Sequence, residues 1–219
     1  MVADWTFKSQ KIAEGFDEHV REQLPWYDLA TGAVSHIARH YIPQGGLVYD
    51  LGASTGNIGE TIADTLKARQ ARLVAIEQSE EMIARYRGPG EVIHADVLSY
   101  PVQPFNVAIA FLLLMFIPAG KRRGLLKRLC ENIKPGGALI VFDKVEGPCG
   151  YLSTVMHRLT IAGKMAQGAD PARVIEKELS LMGVQRPISQ TLMEQSCNPF
   201  PVEVFRFGEF AGWVIARQE

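Results

Sequence analysis

Residues 48–59 have the sequence Val48-Tyr49-Asp50-Leu51-Gly52-Ala53-Ser54-Thr55-Gly56-Asn57-Ile58-Gly59, which predicts a buried strand that turns sharply into a helix. The strand ends at Leu51, because an apolar, partly β-branched run there is followed by glycine. Apolar residues then recur at helical spacing, at Ile58, Ile62 and Leu66. Glycine in the turn allows positive φ or close approach of a ligand to the backbone. The helix that follows offers unpaired N–H groups to an anionic or carboxylate part of a cofactor.

Two acidic residues follow the next strands along the chain. Arg72-Leu73-Val74-Ala75-Ile76-Glu77 predicts a second strand ending in an acid, and Val92-Ile93-His94-Ala95-Asp96 predicts a third. Strands that alternate with helices at this spacing form a parallel sheet with right-handed crossovers. Ligands of such open sheets bind beyond the carboxyl ends of the strands. We therefore expect Glu77 and Asp96 to lie beside the glycine turn in one binding site.

These motifs resemble those of the class I S-adenosylmethionine-dependent methyltransferases. The resemblance lies in the glycine turn, in Glu77 and Asp96, and in Lys134-Pro135-Gly136-Gly137-Ala138-Leu139 before a late strand. It implies an α/β fold, a Rossmann-like mostly parallel sheet of seven strands with an antiparallel last strand and helices on both faces. The hairpin predicted over residues 201–216 suits that ending. Ser54 stands where the family has its middle glycine.

S-adenosyl-L-methionine is the cofactor that this resemblance implies. In the family, the first motif holds the methionine part, the acid matching Glu77 binds both ribose hydroxyls, and the acid matching Asp96 binds the adenine amino group. The implied cofactor-binding residues are Tyr27, Asp50, Gly52, Ala53, Ser54, Gly56, Glu77, Gln78, Met82, Asp96, Val97 and Phe111.

The N-terminal region precedes the sheet and is predicted to be helical. Ile12, Phe16, Val20 and Leu24 form one apolar helical face, which Pro25 ends. The region could cover one edge of the sheet or act as a lid over the cofactor site. Residues 16–20 and 24–27 resemble the leader of the carboxy-S-adenosylmethionine synthases, which implies that Tyr27 contacts the cofactor.

Length and composition suit one globular domain. The chain has 219 residues, of which 47% are hydrophobic and 21% charged. We expect a single methyltransferase domain over residues 1–219, with residues 1–45 as an N-terminal helical lid and residues 144–199 as a helical insertion that forms the acceptor pocket. The formal net charge of −1 argues against binding of nucleic acid through bulk charge.

Compartment and metal content follow from other features of the sequence. Cys130, Cys149 and Cys197 are widely spaced and form no Cys/His cluster, so we expect free thiols and no metal site. The N-terminus lacks the regions of a signal peptide, and the apolar run 107–117 is too short to span a bilayer. We therefore expect a cytoplasmic protein without membrane association. The expected partners are a small-molecule acceptor and, in a homodimer, a second copy of the chain.

Methyl transfer from a sulfonium needs a positioned acceptor and a dry site more than it needs a catalytic base. His157 is the candidate base, because it lies on a predicted pocket helix and imidazole titrates near neutrality. A structural role for His157 is the alternative. Lys144, Tyr151 and Arg186 are the candidate substrate-binding residues, with helix capping as the alternative for Lys144 and a surface position as that for Arg186.

The loop after the fourth strand bears on the acceptor. Residues 105–117 carry neither an Asn/Asp-Pro-Pro signature nor a Pro-Cys pair, which disfavours methylation of base amino groups, glutamine or C5 of cytosine. Their apolar character fits either the core or a pocket for an apolar acceptor. We therefore predict a methyltransferase acting on a small, apolar or aromatic acceptor. The alternative is a carboxy-S-adenosylmethionine synthase-like enzyme that uses prephenate, although residues 192–195 lack that family's arginine. A nicotinamide oxidoreductase would need a different glycine pattern and a substrate domain that this length scarcely allows. A non-catalytic subunit that binds S-adenosylmethionine would suit a weaker set of motifs.

Overall fold

A computed structural model describes residue 6 and residues 10–147 and 149–219, with the backbone alone for residues 11 and 12. The strands are β1 (Leu47–Leu51), β2 (Arg72–Glu77), β3 (Glu91–His94), β4 (Phe105–Phe111), β5 (Ile133–Lys144), β6 (Val202–Phe207) and β7 (Phe210–Ala216). The helices are α1 (Gln10–Glu14), α2 (Phe16–Gln23), α3 (Tyr27–Tyr41), α4 (Asn57–Thr61), α5 (Ala63–Ala68), α6 (Glu80–Ile83), α7 (Ala119–Glu131), α8 (Tyr151–Ala166), α9 (Pro171–Ser180) and α10 (Gln190–Ser196). A short 3₁₀ turn covers Leu114–Phe116.

One seven-stranded sheet organises the molecule, with the strand order β3-β2-β1-β4-β5-β7-β6. β1 pairs in parallel with β2 and β4, and the outer neighbours β3 and β5 are also parallel. β7 is antiparallel to both β5 and β6. The predicted fold class is therefore confirmed. The strand order reverses beside β1, so the ends of β1 and β4 border the crevice where ligands of such sheets bind.

The central strands are apolar because helices cover both faces of the sheet. Along β1, Tyr49 and Leu51 pack into the core on the side of α7, whereas Val48 packs into the core under α3. This alternation is the pleat of a strand buried on both faces. Because apolar side chains are buried on both faces, the register of β1 is fixed, and so is the position of the turn that follows it.

Three predicted elements differ in detail from the structure. The apolar helix predicted before Pro25 is broken at Gly15 into α1 and α2, and the side chain of Ile12 lies outside the described part of the chain. The helix after Gly56 is interrupted at Ile62, which separates α4 from α5. Residues 134–137 form an irregularity inside β5 where its register against β4 shifts, rather than a turn before the strand.

The helix starts were predicted more closely, because capping is a local interaction. Ser79 caps α6 through Met82 N–H, Asp170 caps α9, and Ser189 caps α10. Over the described ranges, we find no helix with the length and apolar character needed to cross a bilayer.

Candidate active site

A deep cleft opens at the carboxyl ends of β1, β2, β4 and β5. The glycine turn, the loop after β4, the helices α2 and α3, and the segment after β5 all contribute to its walls. The predicted site residues that line it are Tyr27, Gly52, Ala53, Ser54, Glu77, Gln78, Asp96, Val97, Phe111 and Lys144.

The turn after β1 brings backbone, rather than side chains, to the cleft. Gly52 has φ +72° and Gly56 has φ +96°, which are conformations that favour glycine. A Cβ added at Gly56 would lie 2.4 Å from the backbone nitrogen of Gly88. Ser54 also has positive φ, at +51°, although it is not a glycine. Ser54 therefore adopts the left-handed backbone conformation, although it replaces the middle glycine of the family's motif.

Glu77 is the anchored acid of this site. Its carboxylate is buried and accepts hydrogen bonds from the backbone N–H groups of Ser54, Gln78 and Ser79, each at 2.8 Å. An ionised carboxylate can accept about four hydrogen bonds, so capacity remains for a donor from the cleft. The bond to Ser54 also explains how the strained turn is held in place.

The second acid, Asp96, lies two residues beyond β3 and is exposed at the cleft. Its Oδ1 accepts the backbone N–H of Leu98 at 2.8 Å, which fixes the carboxylate at the cleft edge. Val97 beside it is buried and lines the cleft. Met82 is fully buried behind the turn, where its Sδ accepts the Ser54 hydroxyl at 3.6 Å.

Asp50 lies beneath the turn and is not among the residues that line the cleft. Its carboxyl accepts the backbone N–H of Gly59, whereas Oδ2 has no hydrogen-bond partner among the described residues. Burial, followed by the negative charge of Glu77, raises the pKa of Asp50 to about 7. Asp50 is therefore a buried acid with a strong tendency to keep its proton.

A polar contact ties the N-terminal helices to the turn. Asp17 on α2 accepts hydrogen bonds from Thr55 Oγ1 at 2.6 Å and Asn57 Nδ2 at 2.7 Å, and it pairs with Arg87. Burial acts to raise the pKa of Asp17, but the hydrogen bonds from Thr55 and Asn57 and the charge of Arg87 outweigh it and lower the pKa. This connection holds α2 against the cleft.

Tyr27 begins α3 and is buried in the cleft wall. Its ring meets that of Phe111 edge-on with centroids 5.5 Å apart, and the Arg21 guanidinium lies 5.4 Å from the Tyr27 centroid. Burial raises the pKa of Tyr27 to about 12, so the hydroxyl is protonated at neutral pH. The position agrees with the predicted cofactor contact, which stays a prediction.

Sequence reasoning missed most of the polar residues at the other end of the cleft. Lys164 on α8 and Lys177 on α9 line it together with Lys144. Lys164 Nζ lies 2.7 Å from Glu178 Oε1, and Lys144 Nζ lies 3.2 Å from Gln185 Oε1. In α8 the structure exposes Leu152, Val155 and Leu159 while it buries Thr160 and Lys164, the reverse of what their polarity predicts. Such reversed polarity indicates a helix that faces a polar site.

The predicted base and two of the predicted substrate-binding residues also lie outside the cleft, as do Asp50, Gly56 and Met82. The side chain of His157 is 47% exposed, and its Nδ1 is 3.3 Å from Glu209 Oε2. Tyr151 is 74% exposed. Arg186 is exposed, and its carbonyl oxygen accepts a hydrogen bond from Arg122. The structure therefore does not bring these three side chains together with the glycine turn, whereas His19 on α2 does line the cleft.

No group of three or more His, Cys, Asp or Glu side chains suited to a metal ion occurs in the part of the chain that the structure describes.

Comparison with known proteins identifies the family. A model of the methyltransferase domain matches residues 48–137. A carboxy-S-adenosyl-L-methionine synthase of Staphylococcus epidermidis is 30% identical over 190 residues, covering 84% of this chain and 83% of the relative. This chain belongs to the class I S-adenosylmethionine-dependent methyltransferase family. A synthase of the same name from Wolinella succinogenes is 28% identical and covers 96% of this chain and 92% of its own length.

The solved structures agree in fold. The plantazolicin methyltransferase BpumL, in complex with a monoazolic desmethylPZN analogue and S-adenosylhomocysteine, matches 95% of this chain and 90% of its own, with a TM-score of 0.66 at 14% identity. The methyltransferase resemblance, the enzyme class and the cofactor predicted from the sequence are therefore confirmed. Like others of its family, this methyltransferase uses S-adenosylmethionine.

Proposed function

We propose that this enzyme transfers a methyl group from S-adenosylmethionine to a small acceptor held in the same cleft. The observation that carries the proposal is Glu77, a buried carboxylate that three backbone amides fix beside the turn after β1. Glu77 would bind the ribose hydroxyls, and Asp96 at the cleft edge would bind the adenine amino group. The cofactor-binding residues we propose are those predicted residues that line the cleft, namely Tyr27, Gly52, Ala53, Ser54, Glu77, Gln78, Asp96, Val97 and Phe111. Asp50, Gly56 and Met82 do not line the cleft, and we propose that they shape the turn instead.

The remaining residues of the cleft would position the acceptor and exclude water. S-adenosylmethionine supplies an electrophilic sulfonium methyl, so the protein needs chiefly to align the attacking atom. Phe111, Leu113 and Phe116 give the cleft an apolar wall, and α2, held by Asp17, closes one side. We propose residues 1–45 as the lid and residues 144–199 as the acceptor-pocket insertion, because described residues of both line the cleft.

The structure favours a different histidine as the candidate base from the one predicted from the sequence. His157 lies outside the cleft, whereas His19 lines it. Burial, followed by the charges of Lys177 and Lys164, lowers the pKa of His19, so its imidazole is neutral at pH 7. A neutral imidazole can accept a proton. We therefore propose His19, rather than His157, as the base for an acceptor that loses a proton on transfer.

The second candidate is a carboxy-S-adenosyl-L-methionine synthase. It is favoured by relatives of that name that match this chain over most of both lengths. Such an enzyme would use prephenate together with S-adenosylmethionine. Two departures from the resembled synthases weigh against it. Residues 192–195 lack their arginine, and the asparagine that they have after the fourth strand is replaced here near Phe111.

Two measurements test these functions. Calorimetric titration with S-adenosylhomocysteine and with NADH should show binding of the first only, and tighter binding of NADH would overturn both candidates. Incubation with S-adenosylmethionine and prephenate, followed by mass spectrometry, should show no carboxylated cofactor if the enzyme is a methyltransferase. A cofactor heavier by one carboxyl group would instead establish the second candidate.

A further inference from the structure

The cleft has a second end, which the cofactor-binding residues leave unused. Glu77 ends β2 and Asp96 follows β3, whereas Lys144 ends β5, on the other side of β1 and β4. Neighbouring strands lie about 4.8 Å apart, so β2 and β5 are separated by about 14 Å. Lys144, Lys164 and Lys177, which we call the lysine cluster, line this second end. They come from β5, α8 and α9, so only the tertiary fold brings them together.

Two members of the lysine cluster are buried, which is unusual for lysine. Lys144 is 9% exposed and Lys164 is 6% exposed. Buried lysines are rare unless they are paired, because burying a charge is costly. Lys164 meets a carboxylate, Glu178, but the Lys144 ammonium donates to the neutral amide of Gln185. Glu178 also feels the charge of Lys144, so one described carboxylate serves two buried ammonium groups at this end of the cleft.

The charge balance around the cluster points the same way. Within segment 144–199, the described residues that line the cleft include three lysines and one acid, Glu178. Burial, followed by repulsion from Lys164, lowers the pKa of Lys177 to about 7. His19 faces the same charges from α2, and Thr160 and Gln185 add neutral polar groups. Like charges gathered in a low-dielectric cleft are stabilised when an anion binds between them.

We propose that the acceptor carries an anionic oxygen group, a carboxylate or a phosphate, which the lysine cluster binds while the apolar wall of the cleft holds the rest of the molecule. Phe111, Leu113 and Phe116 line that wall beside the cluster. The acceptor is then an amphipathic anion with a hydrocarbon body. This inference rests on the proposed transfer from S-adenosylmethionine, because it uses the same cleft.

The test uses three probes that share a phenyl ring and differ in charge, and of these benzoate and benzamide also match in shape. The protein is first saturated with S-adenosylhomocysteine and then titrated calorimetrically with benzoate, phenyl phosphate and the neutral benzamide. We expect at least one anion to bind tenfold more tightly than benzamide, and the better anion identifies carboxylate or phosphate. Equal affinity for all three probes would overturn the proposal while leaving the cofactor site intact, and failure of the first saturation would instead remove the proposed function.

Substitution of the lysines tests whether they bind the anionic group of the probe. The double variant Lys144→Met/Lys177→Met should lose the preference for the anion but keep its affinity for S-adenosylhomocysteine. Lys127→Met, at an exposed position on α7, is the control and should keep both. A double variant that still prefers the anion would overturn the assignment. Loss of S-adenosylhomocysteine affinity in the double variant would also overturn it, since the lysines would then serve the cofactor or the fold. The comparison of probes on the natural chain stands independently of how this variant folds.

Discussion

Two buried acids flank the glycine turn, and their surroundings give them opposite roles. Glu77 has three backbone N–H donors, whereas Asp50 has a carboxylate oxygen without a partner among the described residues. A carboxylate surrounded by donors is stabilised as an anion, and one without them is destabilised. We therefore expect substitution of Glu77 to weaken ligand binding and substitution of Asp50 to change stability.

Glu77→Ala should weaken S-adenosylhomocysteine binding by about 1–3 kcal/mol, the scale of hydrogen bonds to a charged group. Isothermal titration calorimetry measures this directly. Glu80→Ala is the matched control, because Glu80 begins α6 nearby but its side chain is 83% exposed. Unchanged affinity in Glu77→Ala would show that the ribose site lies elsewhere.

Asp50→Asn should stabilise the protein without ligand, and more so as the pH rises. The pKa of Asp50 is about 7 in the folded protein, against an ordinary value of 3.8. Between these two pH values, the unfolded chain loses the Asp50 proton while the folded chain keeps it. The free energy of unfolding therefore falls with rising pH in this window, and asparagine removes that loss. The gain at pH 8 should reach about 1–3 kcal/mol, the cost of a buried polar atom without a partner.

Urea denaturation at pH 5 and pH 8 provides the comparison for Asp50. The difference between Asp50→Asn and the natural chain should grow over this range, whereas the exposed Asp64→Asn should show no such growth. A difference that is constant with pH would contradict the raised pKa of Asp50.

At the scale of elements, the attachment of α2 to the turn depends on one side chain. Asp17→Ala removes the acceptor for Thr55 and Asn57, and we expect it to lower the free energy of unfolding by about 1–3 kcal/mol. Because the folded-state pKa of Asp17 is lowered, its stabilisation is present above pH 4 and is lost as the pH falls through that folded value. Hydrogen exchange should show faster exchange of the α2 amides.

Asp28→Ala is the control for this attachment. Asp28 pairs with Arg21 on the surface and makes no described contact with the turn, so the α2 amides should exchange nearly as in the natural chain. Equal exchange rates in Asp17→Ala and Asp28→Ala would show that α2 is held by apolar packing instead.

The sequence predicted the elements whose signals are local. β2 was predicted at its observed ends, because an apolar run bounded by charged residues at each end is a short-range pattern. Ser79 was predicted as a cap for the same reason. The breaks at Gly15 and Ile62 were missed, because they depend on how the helices meet the sheet and each other. By their charge alone, Lys164 and Lys177 would be expected on solvent-exposed helix surfaces, whereas both line the cleft.

At the scale of the whole molecule, the order of the strands explains which part of the site could be predicted. Residues that end neighbouring parallel strands converge by topology alone, so Glu77 and Asp96 could be placed at one edge from the sequence. The lysine cluster depends on how α8 and α9 fold back over that edge, which no strand pattern specifies. His157 was misplaced for the same reason, because its helix turns that side chain toward Glu209 and away from the cleft.

The proposed function depends on one binding mode, in which the cofactor lies along the carboxyl ends of β1, β2 and β3. A crystal structure of the protein with S-adenosylhomocysteine tests it most directly. We predict that the ribose hydroxyls lie within hydrogen-bonding distance of the Glu77 carboxylate and that the adenine lies beside Asp96. Nucleoside bound elsewhere, or absent at saturating concentration, would contradict the account.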